Sequence, residues 1–339
     1  MSQHTEEGSH RGARKTRALI DPRLLVVTGK GGTGKTTVAA GLAHAAQRAG
    51  RRVLLAATGL EEQIANLIVK DAQPVGYAGR ELLPGLTVMR IDPHAALAEY
   101  LGLQIGLRSL WDPILGSQAF RQLMEATPGW RELITLGKIW HLEQLRDDSG
   151  APRYDLIIVD APATGHGLTF LDVPRVVASA VRSGPLRRNA AMVEAMVRDH
   201  DNTLLLPVTL AEELPVQETS ELVVRARDRV GIQVGPIVIN AVVGDPFPPG
   251  LADLGQRLAR LPSDTTLGQL PPAPVLARCA SRMSARHRLH QTYIEKLNRE
   301  HDDSTRVLPL LPEGIREPED VAMLGALLID DAANPEGLR

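Results

Sequence analysis

Short aliphatic runs alternate with longer stretches of helical periodicity along this chain. The runs are RLLVVTG (23–29), RRVLLAAT (51–58), LTVMRID (86–92), YDLIIVDAP (154–162), NTLLLPVT (202–209), IQVGPIVIN (232–240) and TRVLPLLP (305–312). Most of their positions are apolar without strict alternation, the pattern of a strand covered on both faces, so they predict a parallel sheet between helices. Between them, KTTVAAGLAHAAQRAG (35–50), AEELPVQETSELVVRARDRVG (211–231) and residues 274–300 carry helical patterns. Strand–helix alternation of this kind predicts a doubly wound, mostly parallel α/β domain. Residues 93–150 contain no strand-like run, and 173–200 contain only helical patterns. Both are expected as helical insertions on one end of the sheet. The organisation expected is a disordered arm over 1–18, one nucleotide-type domain over 19–331 and a short tail over 332–339.

Composition narrows the function classes. Of 339 residues, 43 % are hydrophobic and 23 % charged, as in ordinary globular proteins. Aromatics are only 3 %, so the core has to be built from Leu, Val, Ile and Ala. A formal net charge of -2 argues against nucleic-acid binding through overall basicity. The single cysteine, Cys279, excludes a disulfide framework or a multi-thiolate metal site within one chain. No run approaches the roughly 20 apolar residues of a membrane span. The polar start lacks the apolar core of a secretory signal, so a cytoplasmic location is expected.

The chemistry is concentrated in GKGGTGKTT (29–37). Gly29, Gly34, Lys35 and Thr36 satisfy G-x-x-x-x-G-K-[ST], with a strand predicted before it and a helix after it. Gly31, Gly32 and Gly34, with Thr33 between them, let the backbone curl until its N–H groups form an anion nest. The helix starting near Lys35 adds its positive dipole end. Lys35 is expected at the β- and γ-phosphates of ATP, Thr36 on Mg²⁺ and Thr37 at the α-phosphate. Asp160 closes the strand LIIVD and is the candidate second holder of Mg²⁺ through its water.

At this point the chain resembles a known family. KGGTGKTT looks like a deviant P-loop of the SIMIBI class of ATPases. DAPATGHGLTFLDVP (160–174) is similar to the switch II of the ArsA-type anion-transporting ATPases and the related factors that target tail-anchored proteins. IDPHAALAEY (91–100), PGWRE (128–132), LPVQET (214–219) and PLLPEGIREPEDV (309–321) also look like that group, so the resemblance spans about residues 23 to 330. It implies that Lys30 reaches across a dimer interface to the partner's nucleotide, which places Lys30 beside Lys35 and Asp160 as a candidate catalytic residue. It implies that Asn240 reads the adenine edge and that the segment around Pro312 and Glu313 lies along adenine and ribose. The dimer is either a homodimer or a heterodimer with a paralogous ATPase.

Switch I departs from the resemblance. Gly59, in AATGLEEQ (56–63), stands where the family carries the aspartate that positions the attacking water, with Glu61 and Glu62 close behind. Hydrolysis that is slow, partner-dependent or run with a different water-positioning group is the expectation, with a low-turnover regulatory or scaffold subunit as the alternative. A third reading is a chaperone for membrane-protein clients. The stretch 173–200 offers Met192 and Met196 among Val and Ala, a pattern of packed core more than of a client groove. The cysteines of arsenite binding and the Cys-x-x-Cys zinc closure of the eukaryotic targeting factors are both missing.

Overall fold

The structure is a computed structural model describing residues 19–59, 62–105, 129–248, 250–265, 268–301 and 304–330, with backbone alone at 62, 63, 103–105 and 164–167. Eight strands form one sheet: β1 Leu24–Gly29, β2 Val53–Ala57, β3 Arg80–Leu83, β4 Leu86–Arg90, β5 Leu156–Asp160, β6 Thr203–Leu210, β7 Ile237–Val242 and β8 Thr305–Pro309. Their order is β3-β4-β2-β5-β1-β6-β7-β8. Every neighbouring pair is parallel except β3 with β4. The helices are α1 Lys35–Arg48, α2 Pro93–Ile105, α3 Trp130–Gln144, α4 Thr164–Ala180, α5 Pro185–Val197, α6 Glu213–Arg225, α7 Leu254–Ala259, α8 Ala273–Glu300 and α9 Pro318–Ile329. A π-helical turn, Ala226–Val230, continues α6.

All seven predicted runs carry a strand, and β1, β2 and β5 are buried at every position. Burial on both faces explains their unbroken apolar character. Leu24 and Val26 join the core on one face with Leu136 and Ile139 of α3, Phe170 of α4 and Val216 of α6. Leu25 and Val27 join the other with Val38 and Leu42 of α1 and Leu324 of α9. The run 232–240 starts as a strand only at Ile237; Val234 contributes an isolated bridge to Leu205. The edge strand β3 carried no sequence signal, since RELL is four residues long and half-exposed. Helix α4 begins at Thr164 and runs through Pro174, so the helical stretch expected from 173 starts inside the switch-like segment.

Helix α1 opens at Gly34, whose φ of 87° and ψ of 25° make it a left-handed N-cap. Its residues Val38 to Ala46 are all buried. Helix α9 crosses it so closely that a Cβ at Gly325 would sit 1.9 Å from the Gly41 carbonyl oxygen. Pro318 at the start of α9, with a capping box between Glu317 and Asp320, fixes where that brace begins. Among the described residues no helix is long and apolar enough to cross a membrane.

Candidate functional site

The sheet order turns at its centre. The chain passes from β1 outward to β2 and β4, returns to β5 beside β1, then continues on the other side through β6, β7 and β8. Ligands of open α/β sheets bind outside the strand ends at such a reversal. The C-terminal ends of β1, β5, β6 and β7 carry Gly29, Asp160, Leu210 and Asn240, with Val27 in register with Asp160 and Leu210 with Asn240. Four distant stretches of sequence therefore meet at one edge.

The loop between β1 and α1 is shaped by close approaches. At Gly29 a Cβ would stand 2.1 Å from the Val208 carbonyl oxygen, so only glycine lets β1 end against β6. At Gly34 it would stand 2.1 Å from Asn240 Nδ2. That amide donates a 2.9 Å hydrogen bond to the Thr33 carbonyl, tying the loop to β7. Three donors converge on the Lys30 carbonyl: Thr33 N–H at 3.4 Å, Thr33 Oγ1 at 3.0 Å and Lys35 Nζ at 3.0 Å. The Lys35 ammonium thus folds back over the loop it belongs to. Gly31 and Gly32 face solvent.

Thr36 and Asp160, 124 residues apart in the chain, meet at 2.7 Å, the hydroxyl donating to Oδ2. Asp160 is 7 % exposed, and its carbonyl accepts from Thr58 Oγ1 at 2.7 Å. This pairs the end of β5 with the start of switch I. A hydroxyl and a carboxylate are hard oxygen donors of the kind Mg²⁺ takes once or twice from protein, with phosphate oxygens and water completing its shell. Among the described residues no group of three His, Cys, Asp or Glu could hold a metal by itself. The donor set therefore fits Mg²⁺ arriving with a nucleotide and not a resident metal cage.

Lys30 extends away from the loop's own nest to Glu218 Oε1 of α6 at 2.6 Å. Neither its partner nor the brace from Asn240 to Thr33 was visible in the sequence. Glu218 lies 188 positions from Lys30, and no local spacing rule spans that distance. With Nδ2 engaged at the loop, the amide oxygen is the acceptor end of the Asn240 side chain. Pro312 is exposed in the turn over 311–314 beyond β8, and Leu310 N–H donates to the Val242 carbonyl at 2.8 Å, so this turn leaves the same sheet edge as Asn240. Thr37 lies in the first turn of α1. Gly59 is exposed, Glu61 lies outside the described residues, and Glu62 opens a 3-10 turn, Glu62–Leu67.

A second charged cluster ties α4 to the π-helical turn. Asp172, 5 % exposed, accepts from Arg175 Nε at 2.7 Å and Arg229 Nε at 2.8 Å. Burial pushes its carboxyl up, but the two guanidinium bonds outweigh this and hold it below the ordinary carboxylate value. Further off, α2, α3 and α5 enclose a cavity of about 300 Å³ lined by Leu133, Ile134, Leu186 and Met192, with the Glu99–Lys138 pair in its wall.

A strand, a glycine nest, a helix N-terminus, and a hydroxyl–carboxylate pair at the switch point of a parallel sheet define a P-loop nucleotide-binding fold. Within it, residues 22–198 match the anion-transporting ATPase family, more than half of the chain, and the chain belongs to that family. It is 34 % identical over 229 residues to ATPase BagA of Mycobacterium tuberculosis, a stretch covering 66 % of each chain and so just under two thirds of that relative. It is 25 % identical to ATPase get3 of Aspergillus niger over 93 % of this chain and 92 % of the relative. With the arsenical pump-driving ATPase of Escherichia coli it shares 27 % identity over 94 % of this chain, which spans 55 % of that protein.

Proposed function

We propose that this protein binds and hydrolyses MgATP as a nucleotide-switched dimer. The observation that carries the reading is the 2.7 Å contact of Thr36 with Asp160 beneath a loop whose Lys35 already folds over it. The nest N–H groups and the dipole of α1 bind the phosphates. Lys35 exchanges the Lys30 carbonyl for β- and γ-phosphate oxygens. Thr36, and Asp160 through a water, would hold Mg²⁺, which when bound would neutralise phosphate charge. Asn240 keeps Thr33 in place and accepts from the base. Lys30 adds positive charge in a partner's site, the task of an arginine finger.

With Gly59 exposed and without a side chain, turnover is expected to be slow. This favours, as a second reading, a low-turnover subunit paired with a paralogous ATPase. The apolar cavity among α2, α3 and α5 is the feature that speaks for a hydrophobic client. Calorimetric titration of ATP with Mg²⁺ is the test. Saturable binding by the native chain, lost in Lys35→Ala, is expected; equal, undetectable heat in both overturns the proposal. Phosphate release by the purified protein alone then separates an active ATPase from the paired low-turnover subunit.

A further inference from the structure

Lys30 is held within its own chain. The 2.6 Å bond to Glu218 engages its ammonium at α6. The surroundings are those of an uncovered face. The Lys30 and Glu218 side chains keep 36 % and 42 % of their exposure. Leu214 lies four residues before Glu218, hence on the same face of α6, and is 61 % exposed. Gly31 and Gly32, which follow Lys30 in the chain, are exposed.

We infer that Glu218 is a latch on Lys30. In the separate subunit it holds the ammonium against α6. When two ATP-bound copies close, the bond breaks and Lys30 turns to the partner's phosphates. This rests on the dimer reading above and adds a positioning residue to it. The strength of the pair suits the role. A half-exposed ion pair shifts an equilibrium by at most about five-fold, and a symmetric closure breaks two of them, so the latch weakens dimerisation by up to about 25-fold. A triphosphate with its concentrated charge can outcompete a pair of that strength. The helix bearing the latch is also fastened at its far end. Arg229, in the π-helical turn that continues α6, is bonded to Asp172 of α4. Helix α4 starts four residues after Asp160, so the latch helix is tied to both segments flanking the phosphate site.

The experiment is sedimentation of the full chain with MgATP as native protein, Glu218→Gln, Lys30→Ala and the double variant. Glu218→Gln is expected to dimerise about two- to 25-fold more tightly. Its calorimetric affinity for ATP under monomeric conditions should stay within about two-fold of native, and the gain should vanish in the Lys30→Ala background. Glu218→Asp, which keeps the charge on a shorter arm, is expected between the two and serves if Glu218→Gln folds poorly. Unchanged or weaker dimerisation of both Glu218 variants, with Lys30→Ala abolishing the dimer, overturns the latch and leaves the trans-acting lysine standing. A gain that persists without Lys30 overturns the latch as well. The absence of an ATP-dependent dimer from every sample overturns the dimer reading and the latch together.

Discussion

Glycines in the phosphate loop do different work, and the structure separates them. Gly32 has a φ of 83° with nothing within 4 Å of a Cβ, so Gly32→Ala carries only the left-handed penalty of about 1–2 kcal/mol. Gly34 has a φ of 87° and a Cβ there would displace the Asn240 amide. Gly34→Ala should therefore cost a further ~1 kcal/mol through the lost bond to Thr33. Chemical denaturation of both variants checks the difference; equal midpoints would sink the role given to Asn240. The comparison needs no nucleotide, so it tests the brace independently of ATP binding.

Among the elements, α1 and α9 decide how firmly the phosphate site is seated. They approach through Gly41 and Gly325, whose added Cβ atoms would meet backbone at 3.0 and 1.9 Å. Backbone cannot yield as a side-chain tip can, so Gly325→Ala must push α9 away from α1. The expected cost is about 1–3 kcal/mol, the range of overpacking, read from the thermal or denaturant midpoint. Wild-type stability would mean that α9 is not a brace on α1. The bulge in β7 is a second device at this scale. The register with β8 shifts between Ile239 and Val242, and Ala241 has a φ of 55°. An extra residue in one strand re-aims its neighbours, and here the neighbour is Asn240.

At the scale of the whole molecule, two histidines link folding to acidity. His44 is 5 % exposed in α1 and donates through Nε2 to the Leu67 carbonyl at 3.1 Å. Burial lowers its pKa below 6.5, with Arg48 adding to the shift and the Leu67 bond and Glu319 opposing it. His290 is 3 % exposed, accepts from Val243 N–H at 3.1 Å and is lowered chiefly by burial and Arg286. Both are neutral in the fold but take up a proton near pH 6.5 once unfolded. Their contribution to stability is thus fully present above that pH and is lost as the pH falls below it toward the depressed folded values. Unfolding midpoints between about pH 7.5 and 5.5 should decline with acid, given these pKa directions. His44→Gln, which keeps a donor for Leu67, should flatten that decline; an unchanged slope would remove His44 from the account.

The sequence by itself determined the sheet, the phosphate loop and the family. Doubly covered strands read as apolar runs, and G-x-x-x-x-G-K-T is a local demand of backbone on residue type. Thr36 and Asp160 could be named because each closes or opens a local element, although their 2.7 Å meeting required the fold. Tertiary structure alone decided what has no local period. Edge strand β3 is four residues deep in neither core, and α4 extends back to Thr164 through the switch-like segment, ahead of the helical pattern expected from 173. The bonds of Asn240 to Thr33, Glu218 to Lys30 and Arg229 to Asp172 join positions 207, 188 and 57 residues apart. Such pairs follow from strand order, because the sheet brings separate strand ends to one edge, and strand order is a property of the packed whole. Lys30 in GKGGTGKTT is the clearest instance. Its presence was written in the loop, while the glutamate that holds it was chosen by where α6 came to rest.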